Sequence, residues 1–516
     1  MKCLLSTLPA AVLALLAGCG GGNDKLALPD SPAHSAAAAL PEVGPQAAAS
    51  PAPRAAGSAL ALAEPLPPGV PESYMNRCVQ PTGNQRAGTL RDEQSFLRLW
   101  AEETYLWNKE IPDVRMADYG NAVDYFQALK TPALTASGRA KDRFHFSYPE
   151  AQWLELSQGV SLGYGLTWVR NTGLPRQWLV AAVEPGSPAA AAGIRRGDEL
   201  LAVDRVDFQN ANSSADVARL NAGLFPKAEG ERHVLRLAHG WLGRRDASLA
   251  AARVSADPVP KAQVLETAAG KVGYLVFNNH IDLAEQRLID AFTQLREAGV
   301  RGLVLDLRYN GGGLVSVASE VAYMVAGPQR TLGQVFEQML TNNPAAQRQP
   351  TRFIASAMGL VPGQRTPRGT PLPYLGLDKV TVIAGPGTCS ASESIINGLR
   401  GVGVEVELVG NTTCGKPYAF VPTPNCGNYY FMIQFQGVNA KGWGDYGDGF
   451  APTCTVRDDM QYELGDARET LLKAALLRNT TGQCPAPAAG ARLRSAAPLP
   501  VLVPVRPDVS ELKILR

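Results

Sequence analysis

The stretch KVTVIAGPGTCSASESIINGLRGVGVEVELVG, residues 379–410, contains one complete strand–helix–strand unit. It begins with an apolar run, passes through a turn of small residues, continues as a helix from Ser392 and ends in a second apolar run at residues 404–410. Apolar strands that alternate with helices of this length indicate right-handed crossovers and a largely buried parallel sheet. The stretch therefore predicts an α/β fold for the part of the chain around it.

The same alternation begins upstream, near residue 260. KVGYLVF (residues 271–277) and RGLVLDLR (residues 301–308) predict buried strands, and LAEQRLIDAFTQLREAG (residues 283–299) predicts an amphipathic helix between them. We expect this core to cover residues 259–484. The whole chain of 516 residues is long enough for two or three domains, so we predict an α/β multidomain protein.

A second pattern lies at residues 161–204, where short strands and turns alternate. Within WLVAAVEPGSPAAAAGIRRGDELLAVD (residues 178–204), a short helix is predicted to begin at Ser187 and to end at Gly193. This run resembles a PDZ domain, for which we expect residues 156–258. The alternative is a PDZ-like spacer that binds nothing.

The PDZ resemblance implies a peptide-binding loop at GYGL, which is formed by Gly163, Tyr164, Gly165 and Leu166. In that family the loop presents backbone amides to the terminal carboxylate of a peptide, and the peptide adds as a strand beside it.

The segments outside these two regions have different compositions. Residues 76–155 predict a helical part with an aromatic stripe that belongs to its core. Residues 20–75 are rich in Ala, Pro and Gly and predict a disordered tether, and residues 485–516 form a C-terminal tail.

The first 19 residues predict an export signal. Lys2 precedes an apolar run at residues 8–17, which is too short to span a bilayer. The run ends in LAGC, which resembles a bacterial lipobox and implies that Cys19 is lipidated and anchors the protein to a membrane. Gly20 after it favours the outer membrane, facing the periplasm. The alternative is an ordinary cleaved signal peptide.

Eight cysteines occur in the chain, and six remain when Cys3 and Cys19 are set aside. An exported chain occupies a compartment where disulfides persist, and six cysteines allow fifteen pairings. Short separations favour two pairs, Cys414–Cys426 and Cys454–Cys484. A metal cluster is the weaker alternative, because there is no CxxC pair and no histidine lies near the cysteines.

The turn Thr388-Cys-Ser-Ala-Ser-Glu393 has two compatible interpretations. Ser390 and Glu393 fit a capping box at a helix start. A serine at a strand-to-helix turn is also held rigidly beside amides that can stabilise an oxyanion, so Ser390 is a candidate nucleophile.

The candidate base is Lys416, which follows the next strand in GNTTCGKPYAF, residues 410–420. Both segments leave the carboxyl ends of parallel strands, where sites collect in such sheets. A lysine acts as a base only when neutral, so its pKa has to fall from about 10.4, and burial among apolar groups does this. A surface lysine is the alternative.

The third element is the glycine run of DLRYNGGGL, residues 306–314, which directly follows a predicted buried strand. Glycines allow backbone amides to approach a ligand closely. A simple turn and a phosphate cradle are the alternatives, and the run matches neither of the usual nucleotide-binding patterns.

Together, and in this order, these motifs resemble the carboxyl-terminal processing proteases, or tail-specific proteases. The resemblance implies a crotonase-like core of repeated βαβ units, Ser390 as nucleophile and Lys416 as base. It implies an oxyanion hole from amides near Gly312 and of Ala391. The polypeptide substrate would be captured at its C-terminal end by the PDZ domain and cleaved without a cofactor or a metal.

The sequence departs from the family pattern near the lysine. Phe420 stands where the family often has a glutamine that orients the lysine, and Pro417 and Cys389 replace small residues. These changes indicate a divergent branch.

Other functions have weaker support in the sequence. Nothing local marks His145 or His280 as a base, and the loop at residues 441–452 fits no EF-hand spacing. A net charge of +2 predicts no nucleic-acid partner. The alternatives that remain are a catalytically weak or inactive lipoprotein that binds peptides and an anchored scaffold. The oligomeric state is open.

Overall fold

The computed structural model describes residues 64–171, 173–240, 243–346, 348–486 and 503–505. The predicted signal peptide with Cys19, most of the tether and most of the tail lie outside these residues. The described residues all belong to one unit of the chain, Ser35–Arg516. Within them, no helix combines the length and the apolar character that crossing a membrane requires.

The N-terminal part is helical, but it also contains strands. Its main helix begins with a reciprocal cap, in which the Thr89 side chain accepts from the Asp92 amide and the Asp92 side chain accepts in return. The apolar face of that helix buries Phe96, Leu97 and Trp100. The elements are β1 (Arg77–Cys78), β2 (Arg86–Ala87), α1 (Leu90–Thr104), α2 (Ala122–Ala128), β3 (Phe146–Pro149) and α3 (Glu150–Ser157), with 3-10 turns at Pro71–Ser73, Asn108–Glu110 and Met116–Asp118.

The second region is an antiparallel sheet with two helices. Ser187 caps the first helix through its side chain, as the sequence predicts. The elements are β4 (Val160–Gly163), β5 (Leu166–Arg170), β6 (Trp178–Val183), α4 (Pro188–Ala191), β7 (Glu199–Val203), β8 (Val206–Asp207), α5 (Ser214–Leu224), β9 (Arg232–His239), β10 (Gly243–Ala250) and β11 (Ala252–Ser255). Strands β10–β9–β7–β6–β5 lie side by side, with β8 on β7, and β4 pairs separately with β11.

The third region is the predicted α/β core. Its elements are β12 (Lys261–Thr267), β13 (Gly270–Val276), α6 (Ala284–Glu297), β14 (Gly302–Asp306), α7 (Val315–Ala326), α8 (Pro328–Thr331), β15 (Val335–Leu340), β16 (Thr351–Arg352), β17 (Lys379–Ala384), α9 (Ala391–Gly401), β18 (Glu405–Gly410), β19 (Tyr418–Ala419), β20 (Thr423–Asn425), β21 (Asn428–Phe431), β22 (Phe435–Val438), β23 (Cys454–Thr455) and α10 (Thr470–Thr481). A last strand, β24 (Val503–Val505), follows.

A six-stranded sheet in the order β12–β13–β14–β17–β18–β23 organises this core. All neighbours are parallel except β12 and β13. The continuous apolar strands are buried on both faces: α6, α7 and α9 pack on one face and α10 on the other. The predicted α/β multidomain architecture is confirmed, and the carboxyl ends of β14, β17 and β18 meet at one edge.

The three regions are joined by strands and by a buried ion pair. Strand β3 of the predicted helical part, residues 76–155, pairs with β21 of the predicted core, residues 259–484. These two parts of the chain are therefore not independent units. The guanidinium of Arg196, in the second region, donates to the Tyr309 hydroxyl at 2.6 Å and pairs with Asp458. Since Tyr309 lies two residues before the glycines at 311–313, this contact links the second region to the edge of the core sheet.

The predicted Cys414–Cys426 disulfide is wrong, whereas the structure has the predicted Cys454–Cys484 pair. Cys426 bonds Cys78, and Cys414 bonds Cys389. The reason is tertiary: Cys426 lies at the β20–β21 turn, in the small sheet that also holds β3 of the N-terminal part. Cys414 lies in the loop that returns over the turn before α9. Separation along the chain therefore did not decide the pairing.

Candidate active site

Ser390 stands where β17 ends and α9 begins. Its φ is +53°, in the region that L-residues rarely adopt, and the residue is the N-cap of α9. Such a conformation persists only where the surroundings hold it, and it is frequent at functional sites. The residue is 3% exposed. The sharp strand-to-helix turn thus fixes a buried serine at the start of a helix.

One carboxylate, that of Glu393, joins the turn at residues 388–393, here called the serine turn, to the loop at residues 410–420, here called the lysine loop. It accepts the Ser390 amide at 3.0 Å and the Lys416 amide at 2.8 Å. It also accepts from the Gly415 amide at 2.9 Å and from the Thr413 hydroxyl at 2.5 Å. Burial raises the Glu393 pKa to about 7 against these donors, which favour the ionised form. The predicted capping box is present, with the Glu393 carboxylate accepting from the Ser390 amide. The same carboxylate also accepts from amides of the lysine loop and so holds the two segments together.

Lys416 is 2% exposed, so the prediction of a buried lysine rather than a surface lysine is met. Its Nζ lies 4.1 Å from the centre of the Phe420 ring and 5.0 Å from that of Phe144. The Phe420 ring therefore lies beside the Lys416 amine, and Phe420 is the position at which the family often has a glutamine. Phe420 packs in turn against Phe146 and Phe431.

The structure brings Ser390 and Lys416 into the same small cleft, of about 180 Å³. The residues that line it are Val315, Glu337, Met339, Ser390, Ser394, Lys416, Pro417, Tyr418 and Ala419.

Glu337 is a site residue that sequence reasoning missed. It lies on β15, its carboxylate accepts from the Ser394 hydroxyl at 3.0 Å, and burial raises its pKa to about 7. Ser394 lies one helical turn after Ser390, so Glu337 is held beside the serine turn from a different sheet. Its only sequence signal is an acidic residue within a largely apolar strand.

The Cys389–Cys414 disulfide flanks both candidate catalytic residues. Cys389 directly precedes Ser390, and Cys414 lies two residues before Lys416. The two Cα atoms are 5.2 Å apart, and both half-cystines are buried. The Cys414 carbonyl accepts from the guanidinium groups of Arg139 and Arg143 at 2.9 and 2.7 Å. The N-terminal part thereby contributes contacts to the lysine loop.

The glycine run lies against the serine turn, and the oxyanion role of an amide near Gly312 remains a prediction. The Gly312 amide donates to Asn310 Oδ1 at 2.9 Å, so it has no hydrogen left for an oxyanion in this conformation. The Asn310 carbonyl accepts from the Cys389 amide and the Ser392 hydroxyl. Asn310 thus organises the run against the turn, a role that sequence reasoning missed. Among the described hydrogen bonds, the Ala391 amide donates to no acceptor.

The two histidines that could have served as a base are engaged elsewhere. His145 Nε2 lies 2.9 Å from the Phe126 carbonyl oxygen, and its ring packs on the Phe126 ring. His280 Nδ1 lies 3.0 Å from Asn310 Oδ1, and burial lowers the His280 pKa to about 3. Burial also lowers the His145 pKa. Both rings are therefore neutral groups in packed surroundings.

The GYGL loop connects β4 to β5 in the second region. Its carbonyls are bound internally: Tyr164 O accepts from Ala189 N at 3.0 Å, and Gly165 O accepts from Glu184 N at 2.9 Å. Gly165 has a φ of +76°, and a Cβ there would come within 2.3 Å of Ser187 Cβ, so the turn requires glycine. Within residues 64–486 as described, the Tyr164 and Gly165 amides have no acceptor.

A family model described as peptidase family S41 matches residues 271–426, and a PDZ domain model matches residues 179–223. The first match contains the serine turn, the lysine loop and the glycine run.

The "C-terminal processing peptidase, chloroplastic" of Tetradesmus obliquus is 32% identical over 45% of this chain and 49% of its own length. The "Carboxyl-terminal-processing protease" of Synechocystis sp. is 31% identical over 46% of this chain and 49% of its own. The alignments thus span about half the length of these relatives. A solved Bacteroides fragilis structure assigned to the S41 proteases shares the fold, with a TM-score of 0.58 at 22% identity, over 74% of this chain and 96% of that one.

The relatives, the two family models and the shared fold agree with the motifs in residues 306–314, 385–399 and 410–420. The matches indicate a PDZ domain and an S41 protease core, and together they support a member of the carboxyl-terminal processing protease family.

Proposed function

We propose that the protein is a serine endopeptidase that cleaves exported polypeptides near their C-terminal ends by means of a Ser390–Lys416 dyad. The observation that carries the proposal is the Glu393 carboxylate, which accepts the backbone amides of both residues inside one buried cleft. A shared anchor of this kind fixes the distance between a nucleophile and a base, and fixed geometry is a large part of catalysis.

The reaction follows from the chemistry of the two side chains. Ser390 Oγ attacks the peptide carbonyl carbon while the neutral Lys416 amine takes the hydroxyl proton. The tetrahedral oxyanion is stabilised by the Ala391 amide at the N-terminus of α9. The Lys416 ammonium then gives its proton to the leaving amine. In the second half, Lys416 activates the water that hydrolyses the acyl-enzyme.

Substrate capture is assigned to the PDZ domain. The Tyr164 and Gly165 amides bind a terminal carboxylate in this proposal, and the peptide adds as a strand along β5. Arg196 then connects the peptide-bound domain to Tyr309, beside the glycine run. The substrates are therefore polypeptides with free C-terminal ends.

The location proposed is outside the cytoplasm, with a lipid on Cys19 as the anchor to the outer membrane. Three disulfides among the described residues support an oxidising compartment. Cys19→Ser is expected to leave the protein unlipidated and soluble. Fatty-acid labelling of that variant equal to the wild type would contradict the anchor.

The test of the dyad uses single-turnover kinetics with a peptide that has a free carboxylate. We expect an acyl group on Ser390, detected by mass spectrometry, in the wild type and in the control Lys473→Arg, a surface substitution. Ser390→Ala is expected to give none. An acyl group on another residue, or undiminished cleavage by Ser390→Ala, would overturn the assignment.

A second candidate is a peptide-binding protein with a weak or inactive site. It is favoured by the contact of the Lys416 amine with the Phe420 and Phe144 rings, because aromatic faces stabilise an ammonium, which cannot accept a proton. This candidate predicts PDZ-dependent peptide binding with no acyl-enzyme in the wild type.

A further inference from the structure

Strand β24, from the C-terminal tail, lies on the edge of the PDZ sheet. It pairs antiparallel with β5, with Val503 opposite Arg170, Pro504 opposite Val169 and Val505 opposite Trp168. It is the terminal strand in the order β10–β9–β7–β6–β5–β24. The edge that a peptide would join is therefore covered by the protein's own chain.

The direction of the tail strand is the direction that a bound peptide needs. A ligand whose carboxylate reaches the GYGL loop has to run toward Leu166 along β5. The partners of the tail fall from Arg170 to Trp168 as its own numbers rise, so the tail runs toward that loop. Main-chain pairing gives such complexes most of their affinity, and it does not require a specific sequence.

The composition of the segment suits this position. Valine favours strands, and proline is tolerated in an edge strand. Because Pro504 has no amide hydrogen, Val503 and Val505 are the residues of β24 whose amides are able to donate to β5. A segment attached to the same chain also acts at an effective concentration on the order of millimolar when the linker is short.

We propose that residues 503–505 are an intramolecular ligand of the PDZ groove, which the C-terminal end of a substrate has to displace. The displacement of substrate rests on the proposed function, whereas the occupation of the groove by the tail stands apart from catalysis. The tail would lower the apparent affinity for peptides without touching the catalytic cleft.

The test measures binding in a Ser390→Ala background, so that cleavage plays no part. The probe is the synthetic peptide PLPVLVPV, the sequence of residues 498–505, with a fluorophore and a free carboxylate. The variant is Val503→Pro with Val505→Pro, which removes both strand donors and keeps the chain full-length. The matched control is Leu493→Pro with Ser495→Pro, outside the strand.

We expect the Val503/Val505 variant to bind the probe about tenfold more tightly than the parent, by removal of a tethered competitor. The control is expected to keep the parent affinity. Hydrogen exchange at residues 166–170 should also be faster in the Val503/Val505 variant. Equal probe affinity in all three proteins, or no binding by any, would overturn the inference. Neither outcome bears on the dyad, which the acylation experiment tests.

A second inference comes from the Cys389–Cys414 disulfide. It joins the residue before the nucleophile to the loop that carries the base, whereas Cys78–Cys426 joins the N-terminal part to the core and Cys454–Cys484 joins β23 to the segment after α10. Displacement of a catalytic group by 1 Å can cost about a hundredfold in rate. We infer that Cys389–Cys414 positions the dyad, so that activity requires its oxidised form.

The inference rests on the proposed function, and its chemistry is ordinary thiol exchange. A dithiol reductant gives two electrons and two protons to the disulfide, forming the Cys389 and Cys414 thiols, and becomes a disulfide itself. The serine turn and the lysine loop then remain joined only by non-covalent contacts, which include the Glu393 carboxylate and the Cys414 amide that donates to the Thr388 carbonyl at 3.0 Å.

The matched pair of variants is Cys389→Ala with Cys414→Ala, against Cys454→Ala with Cys484→Ala. The two disulfides span similar separations of 25 and 30 residues, so their effects on the unfolded chain are comparable. We expect kcat to fall at least about a hundredfold in the first variant. Its KM and probe affinity should stay within about twofold, and the second variant should keep its kcat below its melting temperature.

If the first variant does not fold, stepwise reduction of the wild type replaces it. Loss of activity should then follow the mass-spectrometric reduction of Cys389–Cys414 and reverse on reoxidation. Equal kcat in both variants, or full activity with this disulfide reduced, would overturn the positioning role. A wild type that is inactive while oxidised would overturn the proposed function and this inference with it.

Discussion

In the proposed function, the PDZ groove and the cleft of Ser390 and Lys416 bind the same kind of molecule, a polypeptide, by different physical means. The groove is a sheet edge, where β5 offers backbone amides to any extended chain, and the tail already occupies it. The cleft is buried, and its geometry depends on particular side chains, a disulfide and one carboxylate with four donors. For the proposed function, this difference means that capture should tolerate many sequences, whereas cleavage should depend on a few atoms.

The largest effect should come from changing the base in the cleft. Lys416→Arg keeps the positive charge and the buried stem, but a guanidinium does not deprotonate near neutral pH. We expect acylation of Ser390 to fall at least about a thousandfold, with peptide binding at the PDZ domain unchanged. Single-turnover kinetics and the fluorescent probe measure the two quantities. Substantial acylation by Lys416→Arg would exclude the dyad and return attention to a histidine base.

The next prediction concerns the buried acid of the cleft. The Glu337 pKa is raised from 4.5 to about 7 by burial, so its contribution to stability is complete below the unfolded pKa and is lost as pH rises through 7. Glu337→Gln removes this dependence. The free energy of unfolding of the wild type, relative to the variant, should fall by about 2–3 kcal/mol from pH 5 to pH 8.

Urea denaturation at four pH values between those limits measures this difference. Glu405→Gln, at an exposed position of the core sheet, is the control for loss of a carboxylate. If the difference in the free energy of unfolding between the wild type and Glu337→Gln does not vary with pH, the Glu337 carboxylate is as well hydrated in the cleft as it would be at the surface. The contrast between a buried cleft and an open groove would then be lost.

The sequence predicted most of what is local. The strands and helices of residues 271–299 and 379–410, the Ser187 cap, the S-x-x-E box and the burial of Lys416 all follow from patterns within a few dozen residues. What it did not predict depends on distant segments that meet in space. Glu337 arrives on β15, and Cys78 of β1 meets Cys426 at the β20–β21 turn, where the Asn76 amide also donates to Asn425.

The glycine run shows a finer limit of the same kind. Its closeness to the serine turn follows from the order of parallel strands. Which backbone amide is free to donate does not follow from that order, because the Asn310 side chain accepts from the Gly312 amide. The sequence identifies the loop, whereas the partner of each amide depends on how the Asn310 side chain packs.

A smaller effect should appear at the PDZ groove. A peptide with a free carboxylate is expected to bind near Tyr164 and Gly165, and amidation of its end should weaken binding by about 1.5–3 kcal/mol through loss of a charge-assisted contact. Fluorescence anisotropy in the Val503→Pro/Val505→Pro background measures this without competition from the tail. Equal affinity for the acid and the amide would mean that the edge binds strands but does not recognise chain ends.

The smallest effect, and the one that most sharpens the comparison, should come from Phe420. Its ring lies 4.1 Å from the Lys416 amine and stabilises the ammonium, which cannot act as a base. Such a contact is worth about 0.5–2 kcal/mol, or about 0.4–1.5 pH units. Phe420→Leu removes the ring and adds no polar atom, so the pH of half-maximal acylation should fall by that amount.

Phe420→Gln should show the same fall and a higher plateau, by about threefold to tenfold, if an amide also orients the amine. Both variants lose contacts with Phe146 and Phe431, so rates have to be compared below their melting temperatures. If both variants have the pH profile of the wild type, the Phe420 ring only fills space. Acylation in the cleft would then, like binding in the groove, not depend on the side chains that line it.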